Sequence, residues 1–388
     1  MAKILIADDA AFMRMRCGKM LQSHGHTVVE AENGREAVEK YSSENVDVVL
    51  LDITMPEMDG YEVLLQLRGD EALRHIPVVM VSAIDEAESV VRCLELGAED
   101  YLGKPFNPLV LKARVDASLA RKLLRDREQA HAQMLVRELE IGRQIQSGFL
   151  PARLPEPVGW HLDMRFVPAR QVGGDFYDAF ELPDGRLCLV VADVCDKGVG
   201  AALYMALFRS LIRATAMQAA NESADGLLRR TFSFTNDYIA TVHGAASMFA
   251  TVFLAVLDPE NGVLAYANAG HEPPVLWRHP RAVPDRLMPT GPALGLLPDI
   301  QMEVRRTTML PGELLLAYTD GVTDAAGPGG VFGENRLLEV IAQSEGRWTN
   351  LLDRLTEALA SHALDAERHD DVTLLSVSRL SVPDPSCP

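Results

Sequence analysis

Residues 46–52, VDVVLLD, carry five apolar side chains in seven positions and stop on an acid. A strand this apolar has no face to offer water, which suits the interior of a parallel sheet covered on both sides. Working outward, KILIA (3–7), TVVEA (27–31), IPVVMVS (76–82) and the short DYL (100–102) read the same way. Helix-like spacing fills the intervals around 11–23, 34–44, 60–68 and 86–96. Five β–α repeats joined by right-handed crossovers predict a doubly wound (βα)5 α/β sheet over residues 1–120.

The polar residues at the strand ends carry the chemistry. Asp8 and Asp9 end the first strand, Asp52 the third and Ser82 the fourth, and Lys104 follows the fifth. The carboxyl ends of an open parallel sheet share one crevice, so these residues converge in spite of their separation in sequence. Three carboxylates together repel one another unless a cation sits among them, and Mg²⁺ prefers a few carboxylates plus water and phosphate oxygens. A lysine neutralises a phosphoryl oxygen and a serine hydroxyl donates to another. The sum is a carboxylate nucleophile that takes up a phosphoryl group. Any one of these acids alone would be an ordinary strand-end or N-cap residue.

LIADDA (5–10), LLDITMPEMDGYEVL (50–64), VVMVSA (78–83) and GAEDYLGKPF (97–106) closely resemble the receiver domain of two-component response regulators, a flavodoxin-like fold. The resemblance implies that Asp52 accepts the phosphoryl group and that Asp8, Asp9 and Asp52 hold Mg²⁺ with the Thr54 carbonyl. It further implies that Ser82 and Lys104 bind the phosphate, that the Lys104–Pro105 bond is cis, and that Tyr101 is the aromatic switch residue which swings inward when Ser82 engages phosphate. A sensor histidine kinase or a phosphotransfer protein would be the phosphodonor.

A long polar helical stretch follows from about Pro108 to Leu150. Leu119, Ala130 and Ile141 are eleven apart, as are Leu123, Met134 and Ile145. An eleven-residue period keeps an apolar seam on one side of a nearly straight helix. Residues 121–150 therefore read as a helical linker, either lying against one of its own domains or pairing with its twin in a homodimer. LPARLPEPVGW (150–160) ends it with three prolines.

From there to residue 380 a second domain is expected over 151–380, with a disordered tail over 381–388. LCLVVADV (187–194), FATVFLAVLD (249–258), VLAYANAG (263–270), ELLLAYTDG (313–321) and VTLLSVSRL (372–380) read as strands. Helical patterns fall at 199–220, 223–242, 334–345 and 349–362. Acids again gather at strand ends. GGDFYD (173–178) sets two after a glycine pair, one strand ends in Asp193, another in Asp320, and HDD (369–371) stands before the last. Oxygen-only ligands suit Mg²⁺ or Mn²⁺ rather than zinc or copper. A pair of such ions lowers the pKa of a bridging water and clamps phosphoryl oxygens. Taken singly, each Asp is a turn acid; taken together they favour a phosphate-ester hydrolase. No Ser–His–Asp order or reactive-cysteine signature competes: Cys188 lies inside an apolar strand and Cys195 has no histidine nearby.

This half resembles the SpoIIE-type branch of the metal-dependent PPM serine/threonine phosphatases. The likeness runs through EIGRQIQSGFLP (140–151), VGGDFYD, VADVCDKGVGAAL (191–203), MFATVFLAVLD, YANAGHEPP (266–274), GPALGLLP (291–298), YTDGVTDA (318–325), FGENRL (332–337) and DDVTLL (370–375). It implies an αββα sandwich with two Mn²⁺ or Mg²⁺ ions between the sheets. It also implies that Asp175, Asp193, Asp320 and Asp370 coordinate them together with the Val194 carbonyl. The parts played by Asp178 and Asp371 stay open. Where the family reads Asp-Val-Ser-Gly-Lys-Gly, this chain has Asp193, Val194, Cys195, Asp196, Lys197 and Gly198. Asp196 adds charge beside the metals and removes the freedom to adopt positive φ. Asn268 and His271 read either as an orienter and an acid or as a hairpin-end cap, leaving the proton donor unidentified.

Composition limits the alternatives. The chain has 388 residues, 37 Lys and Arg against 55 Asp and Glu, and a net charge of −18. Both flanks of the linker are acidic, and no basic patch or helix-turn-helix pattern is present, so a nucleic-acid partner or DNA-binding output is disfavoured. No apolar run approaches the roughly 20 residues of a membrane span. Five cysteines without a CxxC pair suggest reduced thiols and a cytoplasmic location. The expected protein is a response regulator whose aspartyl phosphorylation controls a phosphoserine/phosphothreonine phosphatase. By resemblance its substrate is a phosphorylated anti-sigma-factor antagonist in a partner-switching pathway. The alternative is a non-catalytic adaptor that uses the phosphatase fold to hold a partner.

Overall fold

The computed structural model describes residues 1–70, 73–83, 87–278, 284–344, 346–364 and 369–381. The chain divides into two compact units, Met1–Leu135 and Val136–Pro388.

The first unit alternates strands and helices throughout: β1 (Lys3–Ala7), α1 (Ala11–Ser23), β2 (Thr27–Ala31), α2 (Gly34–Ser43), β3 (Val48–Asp52), α3 (Gly60–Gly69), β4 (Val78–Ser82), α4 (Ala87–Glu95), β5 (Asp100–Gly103) and the start of α5 (Pro108–Phe149). The strands pair in parallel in the order β2-β1-β3-β4-β5, the predicted doubly wound receiver fold. β3 and β4 are buried at every position because side chains leave both faces into a core. Leu5, Val49, Leu51 and Met80 meet α2 and α3 through Tyr41, Val63, Leu64 and Leu67. Ile4, Ile6, Leu50, Val79 and Val81 meet α1 and α5 through Leu21, Leu111 and Val115. Each such fully buried aliphatic side chain contributes about 1.5–3 kcal/mol. Local signals start the helices: Asn33 caps α2 at Glu36, and Asp59 with Glu62 forms a reciprocal capping box on α3.

α5 runs for 42 residues. Leu111, Val115 and Ser118 are buried in the first unit, and Gln146 is buried in the second. Between those anchors the predicted seam is open: Leu123 is 51% exposed, Met134 57%, Ile141 49% and Ile145 61%.

The second unit comprises β6 (Trp160–Val167), β7 (Phe176–Glu181), β8 (Leu187–Val194), α6 (Val199–Gln218), α7 (Ala224–Val242), β9 (Ala250–Leu257), β10 (Val263–Ala269), β11 (Val275–Trp277), β12 (Asp285–Arg286), β13 (Arg305–Thr308), β14 (Leu314–Tyr318), α8 (Asp320–Thr323), β15 (Ala326–Gly327), β16 (Gly330–Val331), α9 (Gly333–Ala342), α10 (Leu351–Ala363) and β17 (Val372–Arg379). One sheet has the order β13-β10-β9-β8-β7 and the other β12-β11-β14-β17-β6. Leu189, Val191, Phe253 and Ala255 of the first sheet face Leu315, Ala317, Leu375 and Val377 of the second. The outer face of the first sheet packs on α6 and α7 through Met205, Phe208, Leu228 and Phe232. That of the second packs on α9 and α10 through Leu337, Ile341, Leu352 and Leu355. This is the expected αββα sandwich.

Three departures from the sequence reading are informative. β6 and β7 had not been expected, although Trp160, Leu162, Met164 and Phe166 alternate as an antiparallel strand should. In β7 the pattern is masked by the buried Asp178. The strand expected over 313–321 stops at Tyr318, and Asp320 instead opens the short α8. Finally, α6 is long and apolar enough to span a membrane by length and mean hydropathy, against the expectation that no segment would be. Its Ala201, Met205, Phe208, Ile212 and Ala216 are spent on the sheet, as in a core helix. Of the tail expected to be disordered, 382–388 lies outside the described residues.

Candidate functional site

In the first unit the carboxyl ends of β1 and β3 set Asp8, Asp9 and Asp52 so that one oxygen of each lies within 4.8 Å of the others. Asp8 and Asp52 are buried and Asp9 is exposed. Lys104 bridges the buried pair, donating from Nζ to Asp8 Oδ2 at 2.7 Å and Asp52 Oδ2 at 2.6 Å. Burial raises the Asp52 carboxyl above the ordinary range even though Lys104 opposes it. Burial also disfavours the Lys104 ammonium, but Asp52 and Asp8 together hold its pKa above the usual value. The Thr54 backbone hydrogen-bonds Asp52. Ser82 is buried at the end of β4, Tyr101 is half-buried in β5, and the Lys104–Pro105 bond is cis.

Sequence reasoning missed one member of this constellation. Arg14 on α1 is 6% exposed, and its Nη1 donates to the carbonyls of Asp8 at 2.7 Å and Asp9 at 3.1 Å. A guanidinium under the backbone of the acidic pair fixes the turn and offsets part of its charge.

In the second unit the predicted acids come from four separate segments. Asp175 precedes β7 and is 2% exposed; its Oδ2 accepts from Thr319 Oγ1 and Thr373 Oγ1, both at 2.7 Å. Asp193, near the end of β8, shares a hydrogen bond with Asp175. Burial first, then the charge of Asp320, pushes Asp193 up to about 7. Burial and Asp193 hold Asp175 well above the carboxylate range. Asp320 is raised by burial and by Asp370 and Asp324. Asp370 Oδ2 accepts from Lys197 Nζ at 2.8 Å. The Val194 carbonyl lies so close to the acidic loop that a Cβ on Gly174 would approach it to 2.6 Å.

The two acids with open roles are separated by their contacts. Asp178 is 1% exposed and lies between Arg209 and Arg213 of α6, at 3.0 and 2.8 Å. It is an internal ion pair, turned away from the others. Asp371 holds backbone: Oδ1 accepts from Ala169 N and Oδ2 from Gly174 N, both at 2.8 Å. That grip explains two glycines. A Cβ on Gly173 would meet Asp371 Oδ2 at 2.1 Å, and one on Gly321 would meet the Asp371 carbonyl at 1.9 Å.

Gln146, near the end of α5, was also missed. It donates from Nε2 to the Gly173 carbonyl at 2.6 Å and accepts from Gly173 N at 3.2 Å. The only signal available was a glutamine in EIGRQIQSGFLP, on a helix rich in other polar residues. The altered loop keeps the conformation a glycine would take: Asp196 has φ +73°, and its carboxylate accepts from Lys197 N. Asn268 accepts from His271 N and donates to the carbonyls of His271 and Leu287, so NAGH is a hairpin-end cap. His271 is 2% exposed, and burial depresses its pKa to about 3, which disfavours the charged imidazolium.

The donor chemistry of both clusters fits hard divalent cations, since every side chain offered is a carboxylate. In the first unit the three oxygens already stand close together. In the second, burial and neighbouring acidic charge raise both Asp175 and Asp193, a penalty that a cation beside them would relieve. Among the described residues only Asp8, Asp9 and Asp52 bring three such atoms within 4.8 Å, so no distinct two-metal arrangement is assembled in the second unit.

Comparison with known proteins agrees with this geometry. The response regulator receiver domain matches residues 4–116, and the stage II sporulation protein E (SpoIIE) family matches residues 183–380, just over half of the chain. Protein IcfG of Synechocystis sp. is 43% identical over 263 residues, which is 62% of this chain and 41% of IcfG. The chain thus spans less than half the length of that relative. The RsbU and RsbW domains of a Mycobacterium tuberculosis protein superpose with a TM-score of 0.50 at 28% identity, covering 61% of this chain and 64% of that one. The SiaA-PP2C domain of Pseudomonas aeruginosa shares the fold, with a TM-score of 0.54 at 23% identity over 64% of this chain and 98% of that domain. With a response regulator receiver domain at one end and a second unit that has the fold of a PP2C domain, the chain belongs to the SpoIIE family.

Proposed function

We propose that this protein is a metal-dependent phosphoserine/phosphothreonine phosphatase controlled by phosphorylation of Asp52. The observation that supports it most is that burial, and then neighbouring acidic charge, raises Asp175, Asp193 and Asp320 alike. Carboxylates drawn from such distant segments and destabilised in their charged form fit a place where divalent charge belongs.

In this reading Asp175, Asp193, Asp320, Asp370 and the Val194 carbonyl hold two Mn²⁺ or Mg²⁺ ions. Those ions supply charge neutralisation at the phosphoryl oxygens and a water of lowered pKa. Lys197, which holds Asp370 at 2.8 Å, would have to release it for that carboxylate to serve as a ligand. Gln146 and Asp371 keep the Gly173–Asp175 backbone in place. In the receiver, Asp8, Asp9, Asp52 and the Thr54 carbonyl hold Mg²⁺, and Asp52 attacks phosphorus. Lys104 moves its contact from the carboxylates to the phosphoryl oxygen, and Ser82 donates its hydroxyl, drawing Tyr101 inward. The working boundaries are 1–120 for the receiver, 121–150 for the linker and 151–380 for the phosphatase. The exposed seam of α5 pairs with a second copy, and a change in that pairing carries the receiver's state to the phosphatase. A sensor histidine kinase or phosphotransfer protein loads Asp52, and the substrate is a phosphorylated anti-sigma-factor antagonist in the cytoplasm.

The test is release of inorganic phosphate from such a phosphoprotein with Mn²⁺, with and without beryllofluoride at Asp52. No release with any divalent metal in either state would overturn the proposal. The adaptor reading is favoured by one feature, the Lys197–Asp370 ion pair. Calorimetric titration with Mn²⁺ separates the two. The enzyme reading expects binding in the second unit that an Asp193→Asn/Asp320→Asn double substitution removes, and the adaptor reading expects none there.

A further inference from the structure

The second unit also carries a pocket whose chemistry is the reverse of the acidic clusters. A cavity of about 550 Å³ opens beside the end of β17 and the start of α10, and Arg347, Arg354, Arg379, His161, Thr349 and Ser378 are among its lining residues. None of its described lining residues is Asp or Glu, in a chain with a net charge of −18. Other arginines of the same region are matched: Arg165 holds Asp353, Arg278 holds Glu313 and Arg286 holds Glu334. By contrast, among the described residues the Arg354 side chain donates to a neutral partner, Ser344 Oγ, at 2.8 Å. Arg379 donates to the backbone carbonyls of Glu260, Asn261 and Met309, and its guanidinium carbon lies 5.4 Å from the centre of the Trp160 ring. His161 Nε2 is buried without a hydrogen-bond partner among the described residues.

Guanidinium groups that meet neutral oxygens rather than carboxylates keep most of their charge for a ligand, and their forked donors match phosphoryl oxygens. Hydroxyls from Ser344, Thr349, Ser378 and Ser381 in the same wall suit the rest of a polar molecule. The volume lies in the usual range of roughly 300–1,000 Å³ for small-molecule sites. The pocket is not part of the acidic cluster. Arg379 ends β17 and Asp371 immediately precedes it, so about eight residues of strand at about 3.3 Å each separate them.

We propose that this pocket binds a small phosphate-bearing molecule at a site distinct from the acids of the phosphatase. The inference does not depend on the chain's catalytic activity. Inorganic phosphate and nucleotides share the required chemistry and are separated by experiment. The full-length protein is titrated calorimetrically with phosphate, pyrophosphate, ATP and GTP in turn, in EDTA so that no metal holds phosphate at the acids. Saturable binding of at least one probe is expected, surviving about 0.15 M salt. Arg354→Gln and Arg379→Gln are each expected to weaken it about tenfold or more. Thr349→Val serves as a milder variant, expected to weaken it less, and Asp193→Asn is expected to leave the affinity unchanged. Thermal melting of each variant verifies that it is folded. Absence of binding by every probe, equal affinity in the folded arginine variants, or weak binding that this salt removes (an adventitious ion only) would each overturn the proposal.

Discussion

In the receiver, Asp8 and Asp52 leave adjacent strands at the same edge of one sheet, and a single lysine bridges them. In the second unit, Asp193 lies near the end of β8, Asp320 opens α8, and Asp175 and Asp370 lie in the loops before β7 and β17. Parallel topology assembles the first cluster as a consequence of strand pairing, because all the carboxyl ends open on one side. A sandwich has no such rule, so its acids come from a strand, a helix start and two loops, and the loops must be held. Asp371, Gln146, Thr319 and Thr373 do that holding. The comparison teaches that the phosphatase cluster depends on its supports to a degree the receiver cluster does not.

Five measurements test this contrast, in order of decreasing expected effect. The largest effect is expected from Asp193→Asn combined with Asp320→Asn. Loss of several kcal/mol of charge stabilisation corresponds to a fall in rate of about 1,000-fold or more. Mn²⁺-dependent phosphate release should reach background while Asp52 is still labelled by a small-molecule phosphodonor. Loss of labelling in the same variant would show that the clusters are not independent. Next, Asp52→Asn should eliminate phosphoryl uptake and the response of the phosphatase to beryllofluoride, read by phosphate release with and without the mimic. A response that persists would place the acceptor elsewhere.

Gly173→Ala comes third. Its methyl group collides with the carboxylate that accepts from Ala169 and Gly174. Freeing those buried donors costs about 1–3 kcal/mol, visible as a lower melting temperature of the second unit alone. An unchanged melting curve would mean the loop yields without cost. Gln146→Leu removes two hydrogen bonds to one peptide unit and should slow phosphate release about five- to thirtyfold. Phosphoryl uptake at Asp52 is the control, and a rate equal to that of the parent protein would remove Gln146 from the supports. The smallest effect belongs to Lys197→Ala. The pair it breaks is 42% and 39% exposed, so it is worth at most about 1 kcal/mol. Mn²⁺ affinity should rise by no more than about fivefold in calorimetry; a fall would mean that Lys197 helps to build the site.

Much of this architecture is readable along the chain, because strands, helices and caps depend on periodicities and spacings of a few residues. The apolar runs ending in Asp52 and Asp193, the eleven-residue seam of α5 and the glycine before Asp175 are all of this kind. Failures occurred where a distant partner overrode the local pattern. Asp178 hides inside β7 because Arg209 and Arg213 neutralise it from another element. Tyr318 ends β14 early because Thr319 turns to bond Asp175, 144 residues away.

The sequence alone therefore established the two fold classes, the order of the receiver's strands and helices, and the gathering of acids beside the apolar strands. Only the tertiary structure decided which carboxylate keeps a free oxygen and which is committed to a lysine, a hydroxyl or a backbone N–H. Asp370 and Asp371 make the point: adjacent and identical in type, one pairs with Lys197 and the other grips the loop before β7. The reason is physical. A carboxylate's state is set by what lies within a few ångströms of it, and in this fold those neighbours are up to about 200 residues away in sequence.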